Sequence, residues 1–130
     1  MNNPHPTLLI IDDNAPFINR MSGLLLESGF TSIDVATNYD EAVAKLESHI
    51  PDIVLLDINL PGKNGVELLK KIRLSTFSCR VIMLSNHASD YYRRICLELG
   101  VTHFLDKSND FNLVPGIIKN INFSDCPSSI

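Results

Sequence analysis

The chain has 130 residues, of which 45% are hydrophobic and 20% charged, and its formal net charge is −4. This size indicates one globular domain, and the acidic balance argues against a domain that grips nucleic acid unaided, because such domains usually carry a basic face. The first apolar run, residues 8–11, is too short for a signal peptide or a membrane span. We therefore expect a cytoplasmic protein, in which the three cysteines, Cys79, Cys96 and Cys126, are reduced thiols without metal-binding spacing.

Five apolar segments predict five β-strands, and each is followed by a stretch with helical spacing. The segments are residues 7–12, 32–37, 52–57, 80–84 and 102–106. The first, third and fourth are continuously apolar, as in strands that are covered on both faces. A strict alternation of strands and helices implies right-handed crossovers, and therefore an open α/β fold with a parallel sheet between two layers of helices.

The predicted helices carry start and stop signals. The first has its buried side at Phe17, Met21, Leu24 and Leu25 and ends before Gly29. The second and third begin at Asn38 and Asn64, each followed three residues later by a glutamate, as in a capping box. The fourth is predicted from about Ser89 to a stop at Gly100. The fifth has Pro115 and Gly116 in or near its first turn, where a missing backbone donor is tolerated.

Polar side chains stand at the carboxyl ends of four predicted strands: Asp12 and Asp13, Asp57, Ser85, and Lys107. In open parallel sheets, ligands bind at this edge, so these side chains are expected to converge. Three carboxylates without a cation would repel one another, whereas two or three carboxylates and a backbone carbonyl suit Mg²⁺. A hydroxyl and an ammonium group donate well to phosphoryl oxygens. The predicted chemistry is therefore transfer of a phosphoryl group onto a carboxylate beside magnesium.

Four segments stand at the ends of predicted strands, in this order: "IIDDN", "LLDINLPGKNG", "MLSNH" and "FLDKS". In their order and in the elements that carry them, they resemble the receiver (CheY-like) domains of two-component response regulators. The resemblance covers roughly residues 7–122. It implies a doubly wound (βα)5 flavodoxin-like sandwich whose parallel five-stranded sheet has the order 2-1-3-4-5. It also implies a single receiver domain over residues 1–130, with loose ends.

The resemblance implies that Asp57 accepts a phosphoryl group from a histidine kinase or a histidine phosphotransfer protein. The implied magnesium ligands are Asp13, Asp57 and the main-chain carbonyl of Asn59, with Asp12 acting mostly through water. Ser85 and Lys107 are implied to contact the phosphoryl oxygens. Such a domain assists its own phosphorylation and dephosphorylation and is not a turnover enzyme.

The resemblance also implies a two-state switch. Ser85 moves toward phosphorylated Asp57, and Phe104 turns into the vacated space. The surface of the fourth helix, fifth strand and fifth helix then changes shape, with Tyr91, Tyr92 and His103 as candidate contacts for a downstream protein. Neither nucleic acid nor a membrane is an expected direct partner.

The loops at this edge contain one departure from the family pattern and two positions to which the family gives a known part. Many members have Lys-Pro where this chain has Lys107-Ser108, which predicts an ordinary trans peptide bond. Asn59 and His87 stand where the family tunes the access of hydrolytic water.

Other interpretations stay open at this point. Asp12 and Asp13 taken alone read as a helix cap before Asn14, and Asp57 taken alone could cap a turn at a strand end. At the level of function, the chain could be an interaction module with a receiver fold that takes no phosphate. It could also be an aspartyl-nucleophile phosphatase of the haloacid dehalogenase type. That type needs a second aspartate two residues after the nucleophile, where this chain has Asn59, which cannot shuttle a proton.

Overall fold

The computed structural model describes residues 5–61, 63–75, 79–86 and 90–121. The five strands are β1 (Leu8–Ile11), β2 (Ile33–Ala36), β3 (Ile53–Asp57), β4 (Arg80–Ser85) and β5 (His103–Asp106). The helices are α1 (Ala15–Glu27), α2 (Tyr39–Ser48), α3 (Gly65–Leu74), α4 (Asp90–Glu98) and α5 (Val114–Lys119), and a 3-10 turn (Phe111–Leu113) precedes α5. All five predicted strands are confirmed, with ends within one residue of the prediction.

The five strands form one parallel sheet in the order β2-β1-β3-β4-β5. The register brings the carboxyl ends together, since Ile11 pairs with Leu56, Asp57 with Leu84, and Ser85 with Asp106. The predicted α/β class and the order 2-1-3-4-5 are therefore confirmed. The order also leaves a crevice between the ends of β1 and β3, where the winding direction of the chain reverses.

Two hydrophobic layers cover the sheet. On one face, alternate residues of the central strands pack with α2, α3 and α4 through Leu46, Leu69, Ile72 and Cys96. On the other face, the intervening residues pack with α1 and α5 through Phe17, Met21, Leu25, Val114 and Ile118. Burial on both faces explains why β1 and β3 are continuously apolar rather than alternating.

The helix caps match the sequence signals in most places. Asn38 Oδ1 accepts a hydrogen bond from the Glu41 N–H at 2.8 Å, and Asn64 Oδ1 accepts one from the Glu67 N–H at 3.1 Å. Helix α1 is capped by Asn14, whose Oδ1 accepts from the Phe17 N–H at 2.9 Å. The interpretation of Asp12 and Asp13 as the cap of α1 is therefore wrong, which leaves both carboxylates available to the sheet edge.

The predicted helix stops and the predicted peptide bond after Lys107 are confirmed, whereas the predicted buried side of α1 is partly wrong. Gly29 and Gly100 have φ values of 98° and 83°, the left-handed conformation that stops α1 and α4. Leu24 is only half-buried, so the buried stripe of α1 is narrower than predicted. The bond between Lys107 and Ser108 is trans, as predicted.

Some predictions concern residues beyond the described part of the chain. The predicted helix start at Ser89, the position of His87, Cys126, and the chain ends at residues 1–4 and 122–130 lie outside the described residues. Cys79 and Cys96 are buried free thiols, as predicted. Within the described ranges, no helix combines the length and the hydropathy that crossing a bilayer requires.

Candidate functional site

Buried polar side chains are concentrated at one edge of the sheet. Among the described residues, the buried polar or charged side chains are Asp12, Asp57, Ser85 and Lys107, with exposed fractions of 1%, 3%, 1% and 7%. All four stand at or just after the carboxyl end of a strand. Burying charged groups is unfavourable unless they are paired or bind an ion, so their grouping marks this edge as a candidate site.

Asp57 is held in place by the strands on either side of β3 and by the start of α3. The Ile58 N–H donates to the Leu84 carbonyl at 3.2 Å, which continues the strand pairing past the carboxylate. The Gly65 N–H donates to the Ile58 carbonyl, so α3 begins directly against the end of β3. A Cβ added at Gly65 would overlap the Asp57 carbonyl oxygen and lie 2.8 Å from Ile58 Cα. Glycine at position 65 therefore permits the close approach that seats Asp57.

Gly65 was not among the site residues that the sequence predicted. The available signal was a glycine directly after the cap residue Asn64, at the first position of a helix where glycine has no advantage for helix formation. That position indicates a close backbone contact rather than a turn.

Lys107 joins two buried carboxylates. Its Nζ lies 2.7 Å from Asp12 Oδ2 and 3.5 Å from Asp57 Oδ2. The Lys107 N–H donates to the Ser85 carbonyl at 2.8 Å, which fixes the start of the loop after β5 beside β4. One ammonium group therefore faces the charge of two aspartates.

The negative charge at this edge exceeds the positive charge available to it. Burial and, to a smaller extent, the nearby charge of Asp12 raise the pKa of Asp57 from its usual 3.8 to about 6. The Lys107 ammonium and a hydrogen bond from the Asn59 N–H, at 3.2 Å from Asp57 Oδ1, act in the opposite direction and are outweighed. Asp57 is thus a carboxylate that a further cation would stabilise.

The carboxylates fit a hard divalent cation. One ligand oxygen from each of Asp12, Asp13 and Asp57 lies within 4.8 Å of the others, and Asp13 is exposed at the mouth of the site. Asp12 Oδ1 accepts from the Asn14 N–H at 2.9 Å, and the buried Asp12 Oδ2 has the Lys107 ammonium at 2.7 Å, which it shares with Asp57. Three carboxylates beside one shared ammonium group suit Mg²⁺, which prefers oxygen ligands. The part of Asn59 as a carbonyl ligand stays a prediction.

Ser85 and Phe104 occupy neighbouring strands of the site. Ser85 is the last residue of β4 and follows Leu84, which pairs with Asp57. Phe104 is 5% exposed and packs in the layer below α4, with the Arg93 guanidinium 5.1 Å from its ring centroid. The ring of Phe104 therefore lies inward in this structure, and its movement stays a prediction.

The predicted contact face around α4 carries exposed aromatic residues. Tyr91 is 68% exposed, and its ring centroid lies 5.4 Å from that of Tyr92, which is 36% exposed. His103 is half-buried, and its Nδ1 accepts or donates no hydrogen bond within the described ranges. A face of this kind offers apolar area to a protein surface, although nothing in the described chain covers it.

Comparison with known proteins agrees with this geometry. Residues 8–119 match the family model of the response regulator receiver domain. The chain is 29% identical to the DNA-binding transcriptional activator EvgA of Escherichia coli K12, over 85% of this chain and 54% of EvgA. It spans about half the length of the curated relatives it matches.

Solved structures share the fold closely. A CheY-like receiver domain protein from Methanospirillum hungatei JF-1 is 26% identical with a TM-score of 0.81, covering 88% of this chain and 91% of that one. The phosphorylated cyanobacterial phytochrome response regulator RcpA is 25% identical with a TM-score of 0.78, covering 95% of this chain and 99% of that one. With its order of strands, its acidic edge and a family match over most of its length, this chain belongs to the receiver domains of two-component response regulators.

Proposed function

We propose that this receiver domain accepts a phosphoryl group on Asp57 from a phosphohistidine of a histidine kinase or histidine phosphotransfer protein, in a reaction that requires Mg²⁺. In the transfer, a carboxylate oxygen of Asp57 bonds to phosphorus as the bond from phosphorus to the imidazole nitrogen breaks. The electron pair of that bond returns to the ring. Asp57 is a phosphoacceptor, and the domain is not a turnover enzyme.

The observation that carries this proposal is the excess negative charge around Asp57. One ammonium group serves two buried carboxylates, a third carboxylate stands at the mouth, and the pKa of Asp57 is raised to about 6. A purely structural carboxylate is normally satisfied by neighbouring donors, whereas Asp57 has one backbone N–H and an ammonium group that it shares with Asp12. That arrangement suits a group that binds a cation and then reacts.

Each residue of the site has a proposed part. Asp13, Asp57 and the Asn59 carbonyl hold the magnesium ion directly, and Asp12 holds it mostly through water. When bound, the ion neutralises oxygens of the transferring phosphoryl group. Lys107 pairs with a phosphoryl oxygen, and the Ser85 hydroxyl donates to another.

The output of the domain is proposed to be a change in the face formed by α4, β5 and α5. Movement of Ser85 toward the phosphoryl group lets Phe104 turn, which alters the surface that carries Tyr91, Tyr92 and His103. A downstream protein binds there. EvgA is described as DNA-binding, but this segment carries a net charge of −4, so we assign direct DNA contact to no part of it. A cytoplasmic location and a single domain over residues 1–130 remain part of the proposal.

The test is phosphorylation by acetyl phosphate with Mg²⁺, followed by intact mass. The expected result is one added phosphoryl group on the wild type and none on Asp57→Asn, which removes the nucleophile but keeps the side-chain shape. Addition that survives in Asp57→Asn, or no addition to the wild type, would contradict the proposal. The second result would favour the interaction module that takes no phosphate.

A separate assay distinguishes the phosphatase interpretation. With a generic phosphoester and Mg²⁺, the domain is expected to release no more than one phosphate per chain, because Asn59 stands where a phosphatase of that type needs a general acid. Sustained release over many turnovers would contradict this.

A further inference from the structure

A second feature at the carboxyl edge is a cavity of about 350 Å³ beside Lys107. Its polar lining comes from three separate segments: Asn14 before α1 with Arg20 inside that helix, Asn86 after β4, and Lys107 with Ser108 after β5. Two of these residues are cations, and no carboxylate among the described residues lines the cavity. Lys107 is paired with Asp12 and Asp57, so the cavity offers an anion the charge of Arg20 and several neutral polar groups.

Aromatic rings hold both cations toward this cavity. Lys107 Nζ lies 4.5 Å from the centroid of the Phe17 ring, and the Arg20 guanidinium carbon lies 4.6 Å from the centroid of the Phe111 ring. The two rings meet edge to face, with centroids 5.8 Å apart and planes at 80°. Cations over ring faces are attracted by the ring quadrupole, so the stack Lys107, Phe17, Phe111, Arg20 orders an otherwise exposed arginine.

The cavity adjoins the Asp57 site, because Lys107 lines the cavity and its Nζ also lies 3.5 Å from Asp57 Oδ2. Asp57 is buried, so a phosphodonor approaches from the open side of the site, and its leaving group lies on that side of phosphorus in an in-line transfer. A small leaving group fits a cavity of this size. The charge that develops on the leaving atom then decides whether Arg20 assists the transfer.

We propose that this cavity receives the leaving group of an acyl phosphate donor and that Arg20 favours this class of donor; the inference rests on the proposed function of Asp57. As an Asp57 oxygen bonds to phosphorus, the bond from phosphorus to the acyl oxygen breaks and its electron pair stays on a carboxylate. Arg20 stabilises the negative charge that develops there. With phosphoramidate, the protonated nitrogen leaves as neutral ammonia, so Arg20 has no developing anion to stabilise.

The experiment compares initial rates of phosphorylation by acetyl phosphate and by phosphoramidate, each with Mg²⁺ and read by intact mass. Arg20→Gln is expected to lower the rate with acetyl phosphate about fivefold, the upper end for one exposed ion pair, and to leave the rate with phosphoramidate unchanged. Arg20→Lys keeps the charge and is expected to recover most of the lost rate. Lys70→Gln, which removes one charge from an exposed side chain of α3 on the opposite face of the sheet, is the matched control and should affect neither rate.

Each outcome bears on the proposal in a defined way. Equal loss with both donors, no loss with acetyl phosphate, or a loss matched by Lys70→Gln would overturn the assignment of the cavity while leaving Asp57 as the phosphoacceptor. A wild type that neither donor phosphorylates would overturn the proposed function, and this inference with it. A loss confined to acetyl phosphate and recovered by Arg20→Lys supports the inference.

Discussion

Two aspartates stand at opposite ends of β3 and differ in their hydrogen bonds and charged partners. Asp52, just before the strand, accepts hydrogen bonds from the Thr7 N–H at 2.9 Å and the Thr7 hydroxyl at 3.3 Å, and its own N–H donates to Thr7 Oγ1 at 3.0 Å. Asp57, at the other end, accepts a single backbone N–H at 3.2 Å and shares Lys107 with Asp12. The first carboxylate ties two strands together, and the second is left with charge that only an added cation or a reaction can relieve.

The largest expected effect concerns the backbone that seats Asp57. Gly65→Ala should lower the free energy of unfolding by about 3 kcal/mol or more, because the new Cβ would overlap the end of β3. Gly23→Ala is the matched control, since Gly23 lies inside α1 with open space around it and should gain about 0.5–1 kcal/mol. Urea unfolding measures both. Similar values for the two variants would contradict a close contact at position 65.

Matched substitutions at the two ends of β3 should have opposite signs. Asp57→Asn is expected to raise the free energy of unfolding of the metal-free domain at pH 7 by about 2–3 kcal/mol, because it removes a buried charge whose pKa is raised to about 6. Asp52→Asn should lower it by about 1 kcal/mol, because the Thr7 donors lose a charged acceptor. Urea unfolding with a chelator gives both values. Loss of stability in both variants would remove the distinction between the two carboxylates.

The raised pKa of Asp57 also predicts a pH dependence. Between pH 3.8 and about 6, the folded protein keeps a proton on Asp57 that the unfolded chain has released, so the stability contributed by this group falls as pH rises through that window. The difference in free energy of unfolding between Asp57→Asn and the metal-free wild type should therefore grow by about 2 kcal/mol from pH 4 to pH 7. A difference that stays constant with pH would contradict the raised pKa.

The last expected effect is the stabilisation of the domain by magnesium. At ten times its dissociation constant, Mg²⁺ should raise the free energy of unfolding by about 1.4 kcal/mol in the wild type, and a chelator should reverse the gain. Asp52→Asn should keep this response, because that side chain lies at the other end of the strand. Asp57→Asn should lose most of it. An equal response in all three proteins would place the ion elsewhere.

The fold was predictable because its signals are local. Continuous apolar runs in β1 and β3, glutamates three residues after Asn38 and Asn64, and glycines after α1 and α4 each act within one or two turns of chain. The alternative interpretation of Asp12 and Asp13 as the cap of α1 is wrong, because Asn14 caps the helix with an equally good oxygen. A local sequence pattern does not distinguish which of several adjacent polar residues caps a helix.

What the sequence determined by itself was which chemical groups stand at the ends of four strands: Asp12, Asp57, Ser85 and Lys107 follow directly from where the apolar runs stop. Their roles in phosphoryl transfer remain predictions. The tertiary structure decided the balance of charge among them, the need for glycine at position 65, and the ring stack that joins Lys107 to Arg20. These features depend on distances between segments far apart in the chain, and electrostatic and packing energies change steeply with such distances.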